Sequence, residues 1–168
     1  MTHLRACGRN YFPNAEIHFI DCLSDLKLNY LRGAYFITLI VMMKYALSAF
    51  SQKERDFDII LDDSAHTMKA QQMTFKFLWP LVKSQGYYVV EDLHTSFGFR
   101  YHKYCNPDNT KSTTYEMVDV LRSQRHDFES NHVSLDFLTQ QRKIIDFVQI
   151  FNPTGCLEQS VTSVIKKK

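Results

Sequence analysis

Glycine is scarce in this chain: 5 of 168 residues, about 3% where ordinary proteins carry near 7%. Gly8, Gly33, Gly86, Gly98 and Gly155 are so dispersed that no two form a Gly-x-Gly pair. No glycine loop is therefore present of the kind that lets backbone amides approach a nucleotide phosphate. Cysteine is sparse too, and Cys7, Cys22, Cys105 and Cys156 include no Cys-x-x-Cys pair. That excludes a zinc knuckle or dithiol redox motif and points to a reduced, cytoplasmic setting. Charge of one sign is also missing. Lys plus Arg at 20 against Asp plus Glu at 18 leaves +2, too small and too scattered for a nucleic-acid footprint. The N-terminal Met1-Thr2-His3-Leu4-Arg5 lacks the apolar core and cleavage site of a secretory signal. The lysines at 166–168 read as a solvated tail.

Apolar residues make up 45% of the chain and aromatics 14%, enough for a packed core, so disorder is excluded and one domain over 1–168 is expected. A single long apolar run, GAYFITLIVMMKYALSAF from Gly33 to Phe50, carries one charge, Lys44. Its length is at the lower edge for a membrane span, and a charge in its middle third is expensive in lipid. It therefore reads as a buried element, with no membrane partner expected. Its front half, Tyr35 to Val41, is β-prone, and Met42 to Phe50 is more helical.

The clearer elements alternate. Ala15 to Ile20 is a short strand ending at Asp21. Asp58 to Asp63 has a compact apolar centre closed by two carboxylates, the pattern of a buried parallel strand running into a loop. Thr67 can cap a helix running to about Lys83, with Met68, Met73, Phe77, Leu78 and Leu81 on one face and a break at Pro80. Gln85-Gly86 makes a turn, and Tyr87 to Val90 is a second buried strand closing on Glu91-Asp92. Strand, helix and strand form a βαβ unit. A helix follows from Thr113 to Arg125, then strands over 144–151 and 160–166, joined as a hairpin at Asn152-Pro153-Thr154-Gly155. The fold class is α/β, with a mostly parallel sheet ending in an antiparallel hairpin.

Ligands of open α/β sheets sit beyond the carboxyl ends of the strands. Here both strand ends of the βαβ unit present acids, Asp62-Asp63 and Glu91-Asp92. Acids also follow strands because loops are polar, but two adjacent pairs with a histidine favour a site. Like charges so close must diverge, take up protons or share a cation, and magnesium, which prefers oxygen ligands, suits them. His66 stands three residues beyond Asp63 and can serve as a general base; His94 is a second candidate.

FDIILDDSAHT over 57–67, FLWPLVK over 77–83 and GYYVVEDLHTS over 86–96 resemble the central part of class I S-adenosylmethionine-dependent methyltransferases. The likeness is greatest to macrolide and rhamnosyl-type sugar O-methyltransferases, with their Asp-Asp-Gly-Ser-His loop and Glu-Asp-Leu-His-Thr strand end. YFPNAEIHFID over 11–21 resembles the family's second strand, and the C-terminal hairpin its last two. The resemblance implies a Rossmann-like sheet lacking the family's first strand and glycine-rich loop, so the chain reads as a domain truncated at its front. It further implies Asp63, Glu91 and Asp92 as magnesium ligands and His66 as the catalytic base. On the cofactor side it implies Asp21 at the ribose of S-adenosylmethionine, with Asp62 as a weaker assignment. Methyl transfer to a small-molecule hydroxyl, such as that of a sugar, is the activity it implies. A non-catalytic remnant serving as a binding subunit is the alternative, and a metal-dependent hydrolase ranks last for want of a nucleophile motif. Homo-oligomerisation is compatible with either reading.

Overall fold

The computed structural model describes residues 14–21, 34–38, 47–48, 51–52, 56–98, 102–103, 111–123, 125–153, 155–157, 159 and 161–168. The chain divides into two compact units, residues 1–46 and 47–168. In the first, β1 (Ile17–Asp21) pairs in parallel with β2 (Ala34–Thr38), in a register that sets Asp21 opposite Thr38. Both strands fall where the sequence predicts them. Most of the apolar run behind β2 lies outside the described residues; within it, Leu47 is fully buried. Among the described residues no helix is long and apolar enough to cross a membrane.

The second unit carries β3 (Phe57–Asp62), α1 (Met68–Leu78), β4 (Val82–Val90), α2 (Thr114–Arg122), α3 (Leu135–Arg142), β5 (Ile145–Phe151) and β6 (Thr162–Lys167). Its sheet has the order β3-β4-β6-β5. β3 and β4 are parallel, whereas β4 with β6 and β5 with β6 are antiparallel. The α/β class stands. The expected mostly parallel sheet is instead a mixed one here, because the terminal hairpin supplies half of its strands.

One face of this sheet makes the core. Tyr88, Val90 and Ile165 point into it against Met68, Phe75 and Trp79 on the α1 side and Met117, Val118 and Leu121 from α2, all buried. Phe75 and Trp79 stack with ring centroids 5.7 Å apart, and Tyr88 meets both edge-on at 5.4 and 6.4 Å. Such edge-to-face pairs add about 1 kcal/mol each beyond area burial. The opposite face differs. Ile59, Leu61 and Phe147 are 49%, 45% and 40% exposed, so β3 is not the strand buried on both faces that its apolar centre suggests.

Helix starts follow their caps. The Thr67 side chain accepts from Ala70 N–H and starts α1. Thr113 and Glu116 form a reciprocal capping box on α2, and the buried Met68 sulfur accepts the Thr114 N–H at 3.1 Å. Satisfying such orphan donors is worth about 1 kcal/mol per helix start. α2 ends at Arg122, shortly before the predicted Arg125. α1 ends earlier than predicted, since Pro80 enforces a short 3-10 turn, Trp79–Leu81.

The predicted Gln85-Gly86 turn lies inside β4, which already begins at Val82. Gln85 adopts φ 66°, and a Cβ on Gly86 would sit 2.8 Å from the Asp58 carbonyl oxygen. The chain thus jogs within a strand, and glycine permits the close approach of β3. The hairpin between β5 and β6 is present, but its connection runs over 152–161, with Asn152 and Gly155 forming its first turn through a 3.2 Å hydrogen bond.

The C-terminal lysines are not a solvated tail. β6 extends through Lys167, whose ammonium donates to the Val82 carbonyl at 2.7 Å and lies 5.3 Å from the Trp79 ring centroid. Burial holds its pKa below the usual lysine range. Lys166 pairs with Asp146, and Lys168 Nζ donates to the Lys143 carbonyl. The long apolar stems cover core edge while their heads reach oxygen.

Candidate active site

β3 and β4 run side by side and end together, so the loops behind them share one edge of the sheet. The register sets Asp62 opposite Val90, and Glu91 N–H donates to the Asp62 carbonyl at 3.0 Å. Beyond this last rung the chain leaves as Asp63-Ser64-Ala65-His66 on one side and Asp92 on the other.

Asp63, His66 and Asp92 converge. Each offers one ligand atom, and these atoms all lie within 4.8 Å of one another. His66 Nε2 is 3.4 Å from Asp92 Oδ2 and 3.8 Å from Asp63 Oδ1. Its other nitrogen, Nδ1, is buried with no hydrogen-bond partner among the described residues. His66 and Asp92 both hold left-handed backbone, φ 55° each, which aims their side chains at one point. Ser64, where the resemblance places glycine, is not among the positive-φ residues, so a side chain is accommodated there. His66 N–H closes a tight turn on the Ser64 carbonyl at 2.7 Å.

Glu91 is half-buried and borders this group. Its carboxyl pKa is raised by burial and by the negative charges of Asp63 and Asp92, with His66 opposing. Asp63 is raised by burial and by Asp92, again with His66 opposing. Acids so crowded favour a bound proton or a bound cation. His94, the second candidate base, directs Nδ1 to Asp92 Oδ1 at 3.5 Å and thus flanks the cluster.

The donor set fits a hard divalent cation: carboxylates of Asp63 and Asp92 converge, and Glu91 stands beside them. Of the three ligands expected from sequence, Asp63 and Asp92 are brought together. The third member of the tight group is His66, with Glu91 just outside it.

Asp62, expected on the cofactor side, is 3% exposed. Its Oδ2 accepts from the Tyr88 hydroxyl at 2.8 Å and its Oδ1 from Ser64 N–H at 3.2 Å. Burial, only partly offset by these hydrogen bonds, pushes its pKa up to about 6. In this arrangement its carboxylate supports the loop that carries Asp63 and His66. Asp21 closes β1, in the first unit.

Sequence reasoning missed two residues beside the cluster, Tyr88 and Gln71. Gln71, fully buried on α1, donates from Nε2 to the Glu91 carbonyl at 2.9 Å. A glutamine on the apolar side of a helix was the available signal. Past Asp92, a 3-10 turn over Leu93–Ser96 leads to an open hollow of about 700 Å³. Phe97 lines it beside Ser96, Lys111 and Glu116, and the Phe97 ring meets that of Tyr115 with centroids 4.7 Å apart.

No protein-family model matches the chain. Among curated proteins it is 31% identical over 94 residues to an 8-demethyl-8-(2-methoxy-alpha-L-rhamnosyl)-tetracenomycin-C 3'-O-methyltransferase from Streptomyces olivaceus, covering 53% of this chain and 23% of that protein. It is 23% identical over 129 residues to the mycinamicin VI 2''-O-methyltransferase of Micromonospora griseorubida, covering 69% of this chain and 30% of that one. The chain thus spans less than a third of the length of these two relatives. Among solved structures, the MycE methyltransferase of mycinamycin biosynthesis, in complex with Mg and SAH, superposes with a TM-score of 0.70 at 19% identity, over 98% of this chain and 39% of that chain. The plantazolicin methyltransferase BpumL gives 0.56 at 16% identity, over 95% and 69%. In sequence this chain is thus similar to O-methyltransferases, and in fold it resembles solved methyltransferases of the S-adenosylmethionine-dependent class.

Proposed function

We propose that the chain contributes the metal and base half of an O-methyltransferase acting on a sugar or similar small-molecule hydroxyl. The convergence of Asp63, His66 and Asp92 at the carboxyl ends of β3 and β4 carries this reading. Kinship to the tetracenomycin and mycinamicin enzymes supports the reaction class.

In this reading Asp63 and Asp92, with Glu91 beside them, hold magnesium, which when bound supplies Lewis acidity at the acceptor hydroxyl. His66 Nε2 takes the hydroxyl proton. Bound S-adenosylmethionine would supply the methyl group to that oxygen and leave as the neutral thioether, while the imidazole of His66 would keep the proton. Asp92 and Asp63 beside His66 stabilise the imidazolium so formed. The hollow at Phe97 accommodates the acceptor, the ring offering an apolar face to a sugar. Asp21 closes its strand as the acid for the cofactor ribose.

Calorimetry with S-adenosylmethionine and magnesium tests the reading. Saturable heat, followed by methylation of a deoxysugar-bearing acceptor, is expected. Absence of heat at millimolar cofactor would overturn it and favour a non-catalytic binding subunit.

A further inference from the structure

We propose that Tyr88 is a positioning residue: through Asp62 its hydroxyl fixes the turn that carries Asp63 and His66. The inference rests on the reading of that turn as the catalytic loop.

A continuous run of hydrogen bonds links the core to the histidine. The Tyr88 hydroxyl donates to Asp62 Oδ2, Asp62 Oδ1 accepts Ser64 N–H, and the Ser64 carbonyl accepts His66 N–H. The first member is anchored. Tyr88 is fully buried, and Phe75 and Trp79 hold its ring edge-on from both, so the hydroxyl is a fixed point of the core. The second member is a joint. Asp62 offers its side chain to Tyr88 and Ser64, and its carbonyl oxygen to Glu91 N–H. One residue thereby sets both acidic strand ends.

A buried acid is costly, and an apolar residue of similar size would serve packing better. Only a carboxylate or carboxamide can accept the Ser64 N–H while engaging the Tyr88 hydroxyl. His66 needs such support, because left-handed backbone in a histidine persists only where its surroundings hold it. Groups that orient a site in this way are worth about 10- to 100-fold in metal affinity or activity.

The test compares the full chain with Tyr88→Phe, which removes only the hydroxyl, and Asp62→Asn, whose amide still accepts from Ser64 and can donate to Tyr88. Amide exchange at Ser64 and His66 is followed by NMR, with Val89 and Val164 in the sheet as internal references. In Tyr88→Phe the Ser64 and His66 amides are expected to exchange about tenfold faster while the sheet amides stay within about threefold. Asp62→Asn is expected to keep wild-type exchange. Unchanged exchange in Tyr88→Phe, or equal acceleration everywhere, overturns the inference. If Tyr88→Phe fails to fold, Asp62→Leu replaces it, and retained protection at Ser64 and His66 there counts against the inference equally.

Manganese titration by electron paramagnetic resonance separates this from the functional reading. Wild type should bind the ion, and Tyr88→Phe about tenfold more weakly. Wild type that binds none at millimolar ion refutes the metal reading, while the exchange comparison still decides the role of Tyr88.

Discussion

His66 Nε2 stands 3.4 Å from Asp92 Oδ2, although one residue follows β3 and the other follows β4. A parallel pair is what allows this, since it brings both outgoing loops to one edge. His66→Ala should lower turnover by about 10²- to 10⁴-fold, the usual worth of a positioned base, with S-adenosylmethionine affinity nearly unchanged. Parallel loss of both in a kinetic and calorimetric comparison would point to a folding role instead.

Asp92 lies inside the tight group and Glu91 beside it. Asp92→Ala should therefore weaken manganese binding by about tenfold or more, and Glu91→Ala by less. Magnesium titration of the rate checks the order. Undiminished magnesium stimulation in both variants would refute the ligand assignment.

Asp62 gives a pH dependence of defined sign. Its pKa is pushed up to about 6 in the fold, above about 3.9 for a free aspartate. Between those values the folded state holds more protons than the unfolded one. The contribution of Asp62 is therefore full below about pH 4 and is lost as pH rises through 6, a change on the order of 3 kcal/mol. Asp62→Asn should flatten this part of the profile and raise stability at pH 8. Denaturant midpoints of the metal-free protein from pH 4 to 8 measure it, and an unaltered slope would sink the idea.

Gly86 lies in β4 where a side chain would meet the backbone of β3. Gly86→Ala sets a methyl 2.8 Å from the Asp58 carbonyl and should cost about 1–3 kcal/mol, the range for overpacking. A thermal midpoint within a degree of wild type would show that the strands can part freely.

Much of the site was legible because acids at strand ends are a local pattern. Asp63, His66 and Asp92 could be named from spacing, and the resemblance over 57–96 implied the roles proposed for them. The state of Asp62 was not legible, because it depends on a Tyr88 hydroxyl from the neighbouring strand. Reading Ile59 and Leu61 as buried failed for a similar reason: an apolar run does not say whether one face of a strand or both will be covered. α3 went unforeseen because Leu138 is its only buried residue, so it lacks an apolar stripe; Ser134 as its cap and Asp136 in its first turn were the usable signals. β4 was begun too late because Gln85 and Gly86 resemble a turn, and here they form a jog within a strand.

His66 and Asp92 share one further property, their backbone at φ 55°. Outside glycine this conformation carries a penalty of about 1 kcal/mol or more. Replacement of either residue by glycine should therefore make the chain hardier while emptying the site. A library of variants selected for heat resistance alone would drift toward glycine or asparagine at both positions. One selected for turnover would hold histidine and aspartate there, and the divergence of the two populations would locate the catalytic edge without any substrate being known.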